Sequence, residues 1–212
     1  MTRDINLRYV DETYDENGLL KTYSVHYPDT FNFGYDIVDD IAINDPQRRA
    51  LVWCDDRGHE KTFTFADIKR MSDKTANYLT QKGIRKGDMV LVVLKHNYQF
   101  WYVSIALHKM GAVIIPATFM LKKHDIEYRI NSASIKAAIV TSDAPVWQEF
   151  DIAENIPSLK FKCMTNSQYN GPCPPGWDDF DAGVEAASED WKRVPTHVRD
   201  MMLIYFTSGT SG

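Results

Sequence analysis

Between Gly87 and Thr165, short apolar runs alternate with helix-length segments, and this alternation constrains the fold more than any other feature. "GDMVLVVLK" carries six apolar residues in succession, Met89 to Leu94, between polar flanks. That is the pattern of a strand buried on both faces. "YQFWYVSIALHKM" follows with helical spacing and is closed by Gly111; "AVIIPAT" is again strand-like. The series continues with a helix in "KKHDIEYRINS" and a strand in "KAAIVT". "PVWQEFDIAEN" then reads as a helix with Pro145 at its first turn, and "LKFKCMT" as a strand. Strands alternating with helices of about ten residues specify a parallel, doubly wound sheet.

The flanking segments read differently. Phe33, Ile37, Val38 and Ile41 fall at helical spacing, so a helix is expected over Phe33 to Ile43. "ALVWC" and "KTFTF" flank "DDRGHE", which predicts a hairpin turning at Asp56 to Gly58. Thr64 can cap the next helix with Asp67 as its capping-box partner; Ile68, Met71, Ala76 and Leu79 form its apolar stripe and Gly83 its stop. The first thirty residues are polar with scattered aromatics, and "DETYDEN" reads as a solvated loop. After Thr165 a Pro- and Gly-rich loop runs from Asn166 to Trp177. A short helix is expected near Asp179 to Ala187, and "RDMMLIYF" supplies a last strand. The fold class is therefore α/β: a doubly wound, mostly parallel sheet with flanking helices, preceded by an incomplete α/β segment with a β-hairpin.

Composition narrows the function. The net charge is −5 and no Lys/Arg stripe is visible, which argues against a nucleic-acid partner. No apolar run approaches membrane-spanning length, and the first residues show no apolar signal region. Three cysteines, Cys54, Cys163 and Cys173, form no disulfide framework and fit a reducing, cytoplasmic setting. The six histidines show no H-E-x-x-H spacing and join no cysteine cluster, so no metal site is expected. Ser104 and Ser134 lack a G-x-S-x-G elbow, which leaves a hydrolase without support. The aromatic run Phe100, Trp101, Tyr102 reads as core packing for its helix.

The strongest chemical signal is "TSGTSG", Thr207 to Gly212, directly after the last strand. Its glycines let the backbone approach a ligand, their N–H groups can turn inward as a nest, and the four hydroxyls add donors. It is neither a Walker loop nor a dinucleotide fingerprint. A plain Gly/Ser tail would have the same composition. Its place after a buried strand favours an anion cradle, since open α/β sheets bind ligands at that edge.

With those residues in view, "MMLIYFTSGTSG" resembles the phosphate-binding signature of the acyl-adenylate-forming (AMP-binding) superfamily. The usual form is Y-T-S-G-T-T-G; here Phe206 separates Tyr205 from Thr207, and Ser211 stands for the second Thr. The stretch from "KGDMVLVVLK" through "KAAIVT" is similar to the family's early strand–helix array, and "FNFGYDIVDDIA" resembles the medium-chain acyl-CoA synthetase branch.

The resemblance implies an ATP-dependent ligase. A carboxylic acid attacks the α-phosphate of ATP to give an acyl-adenylate, and coenzyme A then displaces AMP, with Mg²⁺ sharing the phosphate charge. It assigns nucleotide binding to Thr207, Ser208, Gly209, Thr210, Ser211 and Gly212. It places the catalytic residues beyond Gly212, so the chain is expected to be an N-terminal fragment, inactive alone. An aryl-CoA ligase, a peptide-synthetase adenylation domain and a non-catalytic interaction module of the same fold are the alternatives. The implied organisation is an N-terminal extension over 1–29, a partial first α/β subdomain over 30–86 and a second over 87–212. On that division Ile37, Ile41, Leu51 and Trp53 are expected to be exposed, with a homodimer as one way to cover them.

Overall fold

The computed structural model describes residues 8–166 and 171–207. Its centre is a five-stranded parallel sheet. The strands are β5 (Met89–Val93), β6 (Val113–Pro116), β7 (Ala137–Thr141), β8 (Phe161–Thr165) and the two-residue β9 (Asp178–Asp179). Their order is β6-β5-β7-β8-β9, and every pair is parallel. The first strand is thus internal, and the chain crosses it on the way from β6 to β7.

Side chains along each strand alternate between two cores. Val90, Val92, Ile114, Ala137, Ile139 and Cys163 face helices α2 (Phe65–Gln81), α3 (Gln99–Met110) and α6 (Phe180–Ala186), through Leu79, Leu107 and Val184. Leu91, Val93, Ile115, Ala138, Val140 and Met164 face α4 (Lys123–Ala133) and α5 (Val146–Asp151), through Ile126, Ile130 and Phe150. The doubly wound sheet expected from the alternating runs is present, with a helix layer on each face.

Two antiparallel hairpins precede the sheet. The expected one pairs β3 (Arg49–Cys54) with β4 (Glu60–Thr64). The other pairs β1 (Val10–Tyr14) with β2 (Leu20–Val25), and it corrects the reading of "DETYDEN" as a loop. Its strands are almost wholly exposed, so no buried apolar face marks them in the sequence. The turn between the strands is held by Asp15, whose Oδ1 accepts from Asn17 N at 2.8 Å and Leu19 N at 2.9 Å. The helix expected over Phe33 to Ile43 is a π-helical turn (Gly34–Asp39) continuing into α1 (Asp40–Asn44). The α2 capping box is formed: Asp67 N donates to Thr64 Oγ1 at 3.2 Å and Thr64 N to Asp67 Oδ2 at 3.0 Å.

Three further expectations need correction. Met201 to Phe206 does not form a full strand; it makes one parallel bridge, Leu203 with Ile114, through Ile114 N to Met202 O and Ile204 N to Ile114 O, both 3.1 Å. The next β6 residue facing that edge is Pro116, which has no N–H to extend the ladder. Ile41 is buried and Ile37, Leu51 and Trp53 are half-buried, because the π-turn and α1 pack on α2 and the β3–β4 hairpin lies against the loop after β5. Trp53 Nε1 donates to His96 O at 2.6 Å, and Lys61 Nζ donates to Tyr98 OH at 2.8 Å. Of the aromatic run, Tyr102 is buried in the core but Trp101 is 53% exposed on the outer face of α3.

Candidate functional site

Neighbouring strands β5 and β7 send their connections to opposite faces of the sheet, β5 into α3 and β7 into α5. Open α/β sheets form a ligand crevice at the carboxyl ends of strands where that happens. The chain leaves β5 through Lys95, His96 and Asn97, β7 through Ser142 and Asp143, and β8 through Asn166. These exits are cross-linked. Asp143 Oδ2 accepts from Asn97 Nδ2 at 3.0 Å and from Asn166 Nδ2 at 2.9 Å. Gln99 Nε2 donates to Asn166 Oδ1 at 2.7 Å and to Asp181 Oδ1 at 3.0 Å, and Asn166 N donates to Asp181 Oδ2 at 2.6 Å. Asn97, Gln99 and Asn166 are buried, and burial raises the Asp181 carboxyl above the usual range. His96 and Asn166 sit in the left-handed region, at φ 51° and 59°, where the network holds the chain in sharp turns.

Beside this network a cavity of about 350 Å³ opens at the same edge. Its walls include Phe119, Leu121 and Val146, with Lys95, Lys122 and Glu149 among its polar residues. Glu149 is already engaged: it accepts from Lys122 Nζ and from Lys123 N, both at 3.1 Å. The Lys122 hydrogen bond holds its carboxyl below the usual range. Lys95 Nζ lies 5.5 Å from the Phe119 ring centroid, an ammonium at the rim of an apolar floor.

The expected anion cradle begins at this carboxyl edge. Ile204 and Phe206 pack into the α4–α5 core, and Leu203 packs on the opposite face. The Phe206 ring meets Tyr128 at 5.9 Å and carries the Arg129 guanidinium at 5.2 Å. Thr207 is exposed immediately beyond these anchors. Ser208, Gly209, Thr210, Ser211 and Gly212 lie outside the described residues. Among the described residues no group of three or more His, Cys, Asp or Glu is placed to hold a metal, and no helix is long and apolar enough to cross a membrane.

Sequence reasoning missed Lys95, Asn97, Phe119 and Asp143. Each follows directly on a correctly read strand, and the usable signal was a polar or aromatic residue in the first places after an apolar run. What sequence alone could not give is that three separate exits meet on one carboxylate.

A parallel sheet of this order, with Thr207 exposed at its carboxyl edge, defines a doubly wound α/β domain. The particular family follows from comparison: the chain belongs to the AMP-binding enzymes, whose family model matches residues 38–212. It is 33% identical over 206 residues to the mouse (Mus musculus) protein named acyl-coenzyme A synthetase ACSM4, mitochondrial, covering 94% of this chain and 35% of that protein. It is 35% identical over 191 residues to mouse acyl-coenzyme A synthetase ACSM5, mitochondrial, covering 87% of this chain and 32% of that protein. The chain thus spans about a third of the length of these curated relatives. Among solved structures, an acyl-CoA synthetase of Brucella canis superposes with TM-score 0.75 at 22% identity, over 88% of this chain and 33% of that one. The anthranilate CoA ligase AuaEII, solved with anthranoyl-AMP, superposes with TM-score 0.72 at 20% identity, over 88% of this chain and 34% of that one. At those identities the superpositions show the fold.

Proposed function

We propose that this chain supplies the phosphate-loop part of an AMP-forming acyl-CoA synthetase. In this reading the whole protein activates a small carboxylic acid with ATP as an acyl-adenylate and passes the acyl group to coenzyme A. The single observation that carries the reading is the position of Thr207: exposed, at the carboxyl edge of the sheet, at the head of "TSGTSG". Thr207, Ser208, Gly209, Thr210, Ser211 and Gly212 would hold the nucleotide phosphates through hydroxyl and backbone N–H donors, with Mg²⁺ sharing the charge. The donor set fits: small neutral hydrogen-bond donors suit an oxyanion that gains charge as pyrophosphate leaves. The names of the relatives support acyl-CoA synthesis over the other adenylating chemistries, and "FNFGYDIVDDIA" supports a medium-chain acid.

The sparse cysteines support a reducing compartment; we propose the cytoplasm, while the mouse relatives carry "mitochondrial" in their names. Ile43 and Val52, both exposed in the segment over 30–86, support a homodimer, which sedimentation against concentration would show. The test of the function is acid-dependent pyrophosphate release by the whole protein, with ATP, Mg²⁺ and short to medium carboxylic acids. Release that requires the acid supports the reading; release with none of them, or equal release without acid, ends it. The 212-residue chain alone should show no such turnover.

A further inference from the structure

Between α6 and the phosphate loop the chain runs as an extended strap from Ser188 to Asp200, with no regular helix or strand. It is fastened almost entirely by side chains from the first ninety residues. Asn77 Nδ2 donates to Ser188 O at 2.7 Å and Asp190 O at 3.1 Å. Trp191 Nε1 and Val194 N donate to Tyr35 OH at 2.8 and 3.1 Å. Arg193 pairs with Asp36 at 3.3 Å and lies 4.6 Å over the Tyr35 ring. Lys86 Nζ reaches Pro195 O at 3.0 Å and Asp200 at 2.7 Å, and Asn32 Nδ2 reaches Thr196 Oγ1 at 3.0 Å.

Two of these side chains have a second grip. Tyr35 OH donates to Lys109 O at 2.9 Å, and Asn32 Nδ2 also donates to His108 O at 2.8 Å. Those carbonyls belong to the last turn of α3, where helix carbonyls need partners from outside the helix; His108 O also accepts from the capping Gly111 N at 3.1 Å. One residue later Gly111 turns the chain, in the left-handed region at φ 67°, straight into β6. β6 is the strand that Leu203 bridges. Asn32 and Tyr35 therefore join, at one point, the start of β6 and the strap that delivers its neighbouring segment. A single bridge cannot fix that segment's register well, because Pro116 stops the ladder.

We infer that Asn32 and Tyr35 are positioning residues: acting through Thr196, Trp191 and Val194, they set the register of Met201–Phe206 on β6 and hence where Thr207 is presented. This rests on the reading of Thr207 to Gly212 as the phosphate loop, but the coupling itself is measurable without ligand.

The experiment is hydrogen exchange on the 212-residue chain at the Ile204 amide, which donates to Ile114 O, and at the amides of β5 and β7 as internal reference. Tyr35→Phe removes the hydroxyl and keeps the ring, Thr196→Val removes one acceptor, and Thr196→Ser restores it. Ile139→Val serves as a control that loosens the sheet core without touching the strap. We expect Thr196→Val to speed Ile204 exchange about tenfold, the scale of one lost hydrogen bond, and Tyr35→Phe, which removes three, to speed it at least as much. The β5 and β7 amides should stay unchanged, and Thr196→Ser should behave as the parent. Unchanged Ile204 exchange overturns the inference. So does a rise shared equally by β5 and β7, which is the pattern of general destabilisation expected for Ile139→Val. Titration of the same chains with ATP reports separately on the phosphate-loop reading: no ATP-dependent shift at Thr207 in the parent would end that reading and leave the exchange result standing.

Discussion

At the scale of single residues, the most consequential side chain is one that sequence reading passed over. Lys109 is fully buried, its Nζ 2.6 Å from Asp39 Oδ1, 2.7 Å from Asp73 Oδ1 and 2.9 Å from Ser72 Oγ. In "SIALHKMGA" it reads as a basic residue near a helix C-terminus, ordinarily solvated. Only the fold shows two acids from the π-turn and α2 converging on it. Lys109→Met leaves Asp39 buried without its cation and Asp73 with Lys69 alone, at 2.6 Å, and denaturant unfolding should show a loss of about 3–5 kcal/mol. Asp39 carries a pH signature. Burial, set against its pairing with Lys109, raises its carboxyl in the folded state. The folded chain thus holds that proton more tightly than the unfolded one. The stability it contributes is complete below the ordinary carboxylate range and is lost as pH rises through the folded-state value. Asp39→Asn should remove that slope; equal slopes in urea midpoints of parent and variant would refute it. Gly34 is a second such position. A Cβ there would stand 2.9 Å from Lys109 Cγ and 3.1 Å from Asn32 Oδ1, so Gly34→Ala should cost about 1–3 kcal/mol in the same measurement.

At the scale of elements, the readable parts were those that local chemistry decides. Apolar runs gave β5 to β8, and Thr64 with Asp67 gave the start of α2. Loss of that cap in Thr64→Ala should cost about 1 kcal/mol, seen as a lower thermal midpoint. The elements misread were those that pairing decides. The β1–β2 hairpin was hidden because its strands are almost wholly exposed, so burial left no apolar mark on the sequence. The last segment was read as a full strand because "MMLIYF" is apolar enough for one, while the limit on it sits elsewhere in the chain, at Pro116. That assignment is testable. Pro116→Ala supplies an N–H on the open side of β6 and should yield a new slowly exchanging amide at 116, with slower exchange at Ile204. An amide at 116 that exchanges freely would show that the proline does not set the limit.

At the scale of the whole molecule, the division at residue 86 is a proposal, and packing gives it a particular form. α2 shares its buried stripe with the sheet core through Ala76 and Leu79, whereas the two hairpins rest on the surface. Protection on that division should step down at the hairpins, with α2 exchanging as slowly as β5. Of the site, the sequence offered a proposal and a location: the glycine- and hydroxyl-rich loop argues for an anion, and the apolar segment before it runs to the sheet edge, where Leu203 bridges Ile114. The Asn97–Asp143–Asn166 crossing was not legible, since it depends on three loops brought together by strand order. The central claim is that this carboxyl edge, through Thr207 and the residues after it, receives the phosphates of a nucleotide. The most direct measurement is an amide NMR titration of the chain with ATP and Mg²⁺ into the millimolar range. The account predicts weak, fast-exchange shifts that begin at Ile204 to Thr207 and continue to Gly212, leaving His108 and Met201 at the opposite edge unmoved. Shifts confined to that opposite edge, or none at saturating ATP, would contradict it.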